Sequence, residues 1–359
     1  MKIQLTHKFD DIISINNLLE AWKEFEKGKR HRKDVQEFSL DLMDNIFSLH
    51  SSLVNHTYKH GGYQAFKIND PKPRDIHKAE VRDRLLHHAI YRMLYPFCDK
   101  TFIADSYSCR LNKGAHKAVN RLDHFTRKVS KNNTGACWIL KCDIKKFFAS
   151  IDHKILIKIL TEYIPDQNIL RLLEEIIYSF NTKSGAGLPL GNLTSQLFVN
   201  IYMNKFDQFM KHKIKAEKYI RYADDFVIID SSAKRLRELV VPITEFLKTE
   251  LKLELHPRKV EIRKFRQGID FLGYVVLPYY KVLRTKTKKR MFRKIKARVN
   301  EYHNGIITEK RLKQSLQSYF GVLSHANAYT LSEELKNQYW FWLNECENLI
   351  MCRSHMIMS

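Results

Sequence analysis

The chain has 359 residues, with 62 Lys and Arg against 39 Asp and Glu, a formal charge of +23. At 44% hydrophobic and 12% aromatic residues it has apolar side chain enough for a core and length enough for two or three subdomains, which excludes a wholly disordered chain. Its apolar runs fall far short of the ~20 residues of a membrane helix and residues 1–20 lack the apolar stretch of a secretory signal, so a cytoplasmic protein with no membrane partner is expected, and the excess of cations calls for a polyanion, nucleic acid first.

Between residues 10 and 60, apolar side chains recur at three- and four-residue spacing (Ile12, Ile13, Leu18, Leu19, Trp22, Phe25, then Phe38, Leu40, Leu42, Met43, Ile46, Phe47), which predicts helices packing by one face. They flank the basic patch Lys27, Lys29, Arg30, His31, Arg32 and Lys33, a solvated loop or a phosphate contact. Residues 63–68 alternate toward the breaker-rich stretch 69–74, so two short strands around a turn are expected. A helix follows over 81–97, with Leu85, Leu86, Ala89, Ile90 and Met93 on one face. After a polar stretch at 127–135, Trp138, Ile139, Leu140, Cys142 and Ile144 form an apolar run too short for a helix and predict a buried strand. Helices are predicted at 155–164, 168–180, 194–213 and 233–251, a Gly-rich loop at 185–191, a hairpin at 218–230, and a last strand pair around Ile262 and 271–276. Beyond Pro278 the pattern is helical and basic, with nine Lys or Arg among the fifteen residues from Arg284 to Arg298. The class is α+β without a repeat period. Six cysteines with no Cys-x-x-Cys pair read as reduced thiols buried in the core.

Two segments carry chemistry. Asp143 ends the predicted buried strand, where a carboxylate is costly unless it is paired or binds a cation. Asp224 and Asp225 sit between two largely apolar strands, at a hairpin turn. Acids there can be simple turn formers, but carboxylates converging from separate strands can also hold two divalent cations for nucleotidyl transfer. His87, His88 and His153 read as structural or RNA-facing rather than as metal ligands.

Taken in order, Asp143 with Phe147 and Phe148, GLPLGNLTSQ (187–196), YADD (222–225), the lysine of LHPRK (Lys259) and FLGY (271–274) resemble the palm of reverse transcriptases. PKPRDI (71–76), RDRLLHHA (82–89) and DSYSCRLNKGAH (105–116) resemble the fingers of the bacterial enzymes. The resemblance covers residues 60–278. It implies a right-hand polymerase fold: a helical extension over 1–59, fingers over 60–135, a palm with an antiparallel sheet over 136–278, and a short basic helical thumb over 279–359. The activity implied is RNA-directed DNA synthesis with two Mg²⁺ ions, Mn²⁺ being a substitute, held by Asp143, Asp224, Asp225 and the backbone carbonyl of Ile144. Phe148 matches the aromatic gate that closes the space of a ribose 2′-hydroxyl, and Lys72 and Arg74 match the triphosphate clamp. Lys259 matches the lysine that neutralises or protonates departing pyrophosphate. Leu190, Gly191 and Gln196 fall in the nucleotide-binding loop, and Phe271, Leu272, Gly273 and Tyr274 match the primer grip. Lys288, Lys289, Arg293 and Lys296 are expected on the duplex-facing side of the basic helix, opposite a packed stripe of Met291, Phe292, Ile295, Ala297 and Val299.

One departure narrows the resemblance. Many reverse transcriptases open the loop before the long helix with Gln-Gly and close it with Ser-Pro, whereas Leu190-Gly191 and Ser195-Gln196 stand here. That version, with SYFGVLSHANAYTL (318–331), resembles the error-prone enzymes of diversity-generating retroelements, and implies a structured template RNA, a DNA or RNA primer, dNTPs and a small basic accessory protein as partners. An antiphage enzyme copying a dedicated non-coding RNA beside a second defence protein is the alternative. A relict RNA-binding protein is disfavoured by the three carboxylates and Lys259, and a mobile intron protein by the lack of maturase and endonuclease segments.

Overall fold

The computed structural model describes residues 3–69 and 73–356, residues 346–356 by backbone alone. No described helix is long and apolar enough to cross a membrane. Four helices open the chain: α1 (Phe9–Ile13), α2 (Ile15–Glu26), α3 (Lys33–Leu40) and α4 (Leu42–Val54). Ser14 caps α2 by accepting the Asn17 amide, and α2 buries Leu18, Ala21, Trp22 and Phe25, one face of a helix. Helix α4 also packs by one face, though not by every apolar residue read for it. Ile46, Leu49 and Leu53 are buried, but Leu40, Met43 and Phe47 lie exposed. Periodicity defines a face without guaranteeing that another element covers it.

Strands β1 (Tyr63–Ile68) and β2 (Arg74–Ala79) pair antiparallel from Tyr63 opposite Ala79 to Ile68 opposite Arg74, so the two expected strands are present and paired. Then come α5 (Val81–Thr101), which packs on α2, α6 (Ala115–Val129) and β3 (Trp138–Asp143). Helices α7 (His153–Thr161) and α8 (Gln167–Tyr178) are capped by Asp152 and Asp166, each side chain accepting a first-turn amide. Helix α9 (Leu193–Gln208) is buried almost all round, the mark of a central core helix, and ends in a π-helical turn at Phe209–Lys213. Strands β4 (Tyr219–Tyr222) and β5 (Asp225–Asp230) form an antiparallel hairpin beside β3, in the order β4-β5-β3, and α10 (Ala233–Leu251) follows.

Strand β6 (Glu261–Lys264) lies next to β3, while β7 (Ile269–Phe271), β8 (Tyr274–Val276) and β9 (Lys281–Leu283) make a separate antiparallel sheet. The region after Pro278 is therefore not helical throughout: β9 precedes α11 (Thr285–His303), α12 (Glu309–Leu323) and α13 (Tyr329–Met356). The chain divides between two compact units, one from the stretches up to 114, 140–228 and 234–261, the other from 115–139, 229–233 and 262 onward. Of the four cysteines with described side chains, Cys98, Cys137 and Cys142 are buried thiols, and Cys109 is exposed, against expectation. Its backbone is left-handed, φ +53°.

Candidate active site

The first unit gathers the three aspartates. Phe226 to Ile229 are all buried, which fixes β5 inside the sheet, and pairing of Tyr222 with Asp225 leaves Ala223 and Asp224 to make the turn. Ala223 takes φ +55° there, a left-handed conformation that an L-residue holds only when its surroundings fix it. The turn is pinned against the end of β3, because the Ile144 amide donates to the Asp224 carbonyl at 3.1 Å. On the far side of β3, the His256 amide donates to the Asp143 carbonyl at 2.8 Å and the Lys145 amide to the Glu254 carbonyl at 2.9 Å. That pairing delivers Lys259, whose ammonium sits 2.7 Å from Asp143 Oδ1. Segments far apart in sequence thus meet, Asp224 with Ile144 through a backbone bond and Lys259 with Asp143 through an ion pair.

Asp224 carries the electrostatic signature of the site. Burial first, then the charges of Asp225 and Asp143, push its carboxyl up to about 6, and Lys259 only partly offsets them. Among the described residues no three His, Cys, Asp or Glu side chains converge closely enough to hold an ion, so the expected ligand set is brought to one place without being drawn into a cluster. Mutual repulsion of the acids and the hold of Lys259 on Asp143 give the physical reason. The donor set nevertheless fits a hard divalent cation: carboxylate oxygens crowded until one is forced toward its neutral form are what such an ion relieves.

Beside the aspartates, Lys146 takes φ +47° and starts the short 3₁₀ turn Phe147–Ser150. Phe147 is buried and Phe148 half-buried, their rings edge to face at 5.6 Å. The Leu188 amide donates to the Phe148 carbonyl at 2.9 Å, so the gate candidate and the loop of Leu190 are joined by backbone. The same loop holds β2: the His77 amide donates to the Leu190 carbonyl at 2.9 Å, and the Asn192 amide group donates to the His77 carbonyl at 2.8 Å. Gly191 is required there, since at φ +108° any Cβ would come within 2.7 Å of Ile76 Cγ2. Ser195 is buried and Gln196 half-buried in the first turn of α9. Arg74 opens β2, exposed, and its charge reaches the Tyr222 hydroxyl, whose pKa burial nonetheless raises. Lys72 lies outside the described residues.

Of the three histidines, His87 and His153 are buried and His88 half-buried. His153 is fully buried and donates from Nε2 to the Gly187 carbonyl at 2.7 Å, and burial drives His87 far below the usual imidazole range and His88 down to about 4.

The sequence reading missed a buried ion pair behind the turn. Arg221 on β4 and Asp207 at the end of α9 are both fully buried and bonded twice, Nε to Oδ1 at 2.8 Å and Nη2 to Oδ2 at 2.7 Å. A signal existed: an arginine in an otherwise apolar strand must find a counter-charge inside.

In the second unit, Phe271 pairs with Tyr274 across a turn in which Leu272 (φ +50°) and Gly273 (φ +91°) are both left-handed, the geometry of a primed hairpin. The Tyr274 hydroxyl donates to the Val322 carbonyl of α12 at 3.0 Å. Helix α11 packs through Met291, Ile295 and Val299, a narrower stripe than expected, with Phe292 half-buried and Ala297 exposed. The four cations on it also divide. Lys288 pairs with Glu334 of α13 at 2.9 Å, and Lys296 lies over the Trp342 ring of that helix at 5.8 Å. Lys289 and Arg293 are exposed.

Residues 67–276, more than half of the chain, match the family described as reverse transcriptase (RNA-dependent DNA polymerase). The chain is 26% identical over 241 residues to protein YkfC of Escherichia coli, covering 56% of this chain and 63% of that one. It is 24% identical over 292 residues to the group II intron-encoded protein LtrA of Lactococcus lactis, covering 62% and 47%, and 21% identical over 362 residues to a putative COX1/OXI3 intron 2 protein of Saccharomyces cerevisiae, covering 81% and 40%. The chain thus spans about two fifths to three fifths of the length of these relatives.

Proposed function

The chain belongs to the reverse transcriptase family, and from that premise we propose that it is an RNA-directed DNA polymerase whose reacting centre is built on Asp143, Asp224 and Asp225. The observation that carries this reading is the docking of the Asp224 turn on the end of β3, with Lys259 against Asp143. Asp143, Asp224, Asp225 and the Ile144 carbonyl would hold Mg²⁺, or Mn²⁺ in its place, which when bound activates the primer 3′ oxygen and stabilises the leaving pyrophosphate. Lys259 is placed to neutralise negative charge beside Asp143 and, by releasing that carboxylate, to turn to the pyrophosphate. Phe148 closes the space beside the sugar, and Leu190, Gly191 and Gln196 line its edge. Arg74 at the start of β2, together with Lys72 as the resemblance implies, takes the triphosphate. Phe271, Leu272, Gly273 and Tyr274 present the primer end, and the exposed cations of α11 take duplex phosphates.

The apolar Leu190 supports a finer reading, error-prone synthesis on a structured template RNA within a diversity-generating retroelement. A glutamine amide there holds the incoming sugar by a hydrogen bond, whereas leucine offers only apolar contact, and a lost restraint narrows the gap between correct and incorrect pairs.

Primer extension on an RNA template with Mg²⁺ tests the activity. Wild type extends the primer with dNTPs, and Asp224→Asn with Asp225→Asn does not, while template–primer affinity stays within about twofold because phosphate contacts are elsewhere. Extension by the double variant near the wild-type rate removes the active-site assignment.

A further inference from the structure

We propose that Arg221 is a positioning residue for the reacting centre: through the Ala223 carbonyl it fixes the turn that carries Asp224. This rests on the polymerase reading above and extends it to a group that touches no substrate.

Every donor of the Arg221 guanidinium is directed. Two engage Asp207 side by side, and Asp207 Oδ1 also accepts the Tyr219 hydroxyl at 2.8 Å. Nη2 reaches Ser106 Oγ at 3.0 Å, and Nη1 reaches Asn200 Oδ1 at 3.4 Å and the Ala223 carbonyl at 3.3 Å. The backbone of the same residue is held too, its amide donating to the Asp105 carbonyl at 3.0 Å and its carbonyl accepting the Tyr107 amide at 2.9 Å. One side chain therefore ties α9, the 105–107 segment and the β4–β5 turn together.

The bond to Ala223 separates positioning from plain stability. A fully buried ion pair is weak evidence for stability, because apolar side chains of similar volume often serve the core equally well. They cannot hold a carbonyl. Ala223 sits in a left-handed conformation, and the two successive carbonyls of the turn are each given a donor, Ala223 by Arg221 and Asp224 by the Ile144 amide. Those two anchors set the root of the Asp224 side chain. They matter because the turn must hold the Asp224 carboxylate beside the Asp143 end of β3, and a loosened turn misplaces it. Helix α9, which supplies Asn200 and Asp207, carries Ser195 and Gln196 in its first turn, so Arg221 also couples the nucleotide loop to the aspartates.

The test compares Arg221→Lys, which keeps the charge but not the fork, with the milder pair Ser106→Ala plus Asn200→Ala, which leaves the bonds to Asp207 and the Ala223 carbonyl but removes the two partners that steady Nη1 and Nη2. Folded fraction by circular dichroism, Mn²⁺ affinity by electron paramagnetic resonance without substrate, and single-nucleotide kcat and KM are measured on the full chain. Arg221→Lys is expected to weaken Mn²⁺ binding about tenfold and lower kcat about 10- to 100-fold, with KM for dNTP and template–primer affinity within about threefold, the effect of a displaced reacting group. The double alanine variant moves the same two quantities by a smaller factor, and it decides the matter if Arg221→Lys does not fold. Wild-type Mn²⁺ affinity in the folded variants, or a kcat that falls only with the folded fraction, overturns the positioning role. If wild type binds Mn²⁺ but makes no DNA on any template, the polymerase reading fails while the Mn²⁺ series still reads the role of Arg221.

Discussion

The turn at Asp224 and the helix α11 are both dense in charge, and they handle it in opposite ways. Behind the turn, one arginine and one aspartate are fully buried, bonded twice and surrounded by further partners. On α11 and its N-cap Arg284, nine cations share the fifteen residues up to Arg298, with single ion pairs such as Lys288 to Glu334. A buried charge is all or nothing, since losing its partner leaves an ion in a low dielectric, whereas exposed charges are screened, individually weak and close to additive. The first arrangement suits fixing atoms at a reacting centre, the second gripping a polyanion of any sequence.

The largest expected effect that separates the two regions is on stability. Asp207→Leu strands Arg221 and should cost about 3–5 kcal/mol, read as a lower urea midpoint, while Lys288→Gln should cost no more than about 1 kcal/mol. Similar losses for both would erase the distinction.

Next is a pH effect confined to the turn. The folded pKa of Asp224 lies above its ordinary value, so the neutral form is favoured in the fold, that stabilisation is complete below about pH 4, and it is lost as pH rises through about 6. In chelator, Asp224→Asn should therefore raise the melting temperature at pH 8, by up to about 3 kcal/mol of stability, and change it little at pH 4. A gain that is the same at both pH values would contradict the crowding of the acids.

On α11 the four cations should separate by partner. Replacing Lys289 and Arg293 by Gln should flatten the slope of log K against log salt by about 0.9 for each phosphate of a B-form duplex that is no longer neutralised, leaving the melting temperature unchanged. Replacing Lys288 and Lys296 should lower the melting temperature slightly, because both are engaged with α13. The smallest effect concerns Leu190→Gln, which should lower misincorporation by a few-fold, counted opposite each template base, with the extension rate nearly unchanged. An unaltered error spectrum would remove Leu190 from the fidelity argument.

What the sequence makes legible follows from the physics of each signal. The β4–β5 hairpin and β3 are readable because buried strands are continuous apolar runs, and the aspartates stand out against them. The resemblance adds order, and the structure brings Asp143, Asp224 and Lys259 together as that order implies. The pairing of Arg221 with Asp207 is half legible: the arginine needs a counter-charge, but nothing in one sequence selects Asp207 among 39 acids. Strand β9 is only three residues long, too short to show a period. Met43 and Phe47 stand at helical spacing on α4 yet stay exposed, because spacing says which residues share a face and not what lies against it.

The most direct test of the central claim is RNA-templated addition of a single dNTP by wild type and by Asp143→Asn, each with Mg²⁺ and each with template–primer affinity measured alongside. Asp143→Asn frees Lys259 and removes one carboxylate while leaving the backbone bonds of β3 in place. The account predicts addition by wild type, a loss of at least about 10³-fold in the variant, and an unchanged affinity for the duplex. Addition by the variant within about tenfold of wild type, in folded protein that binds the duplex normally, contradicts it.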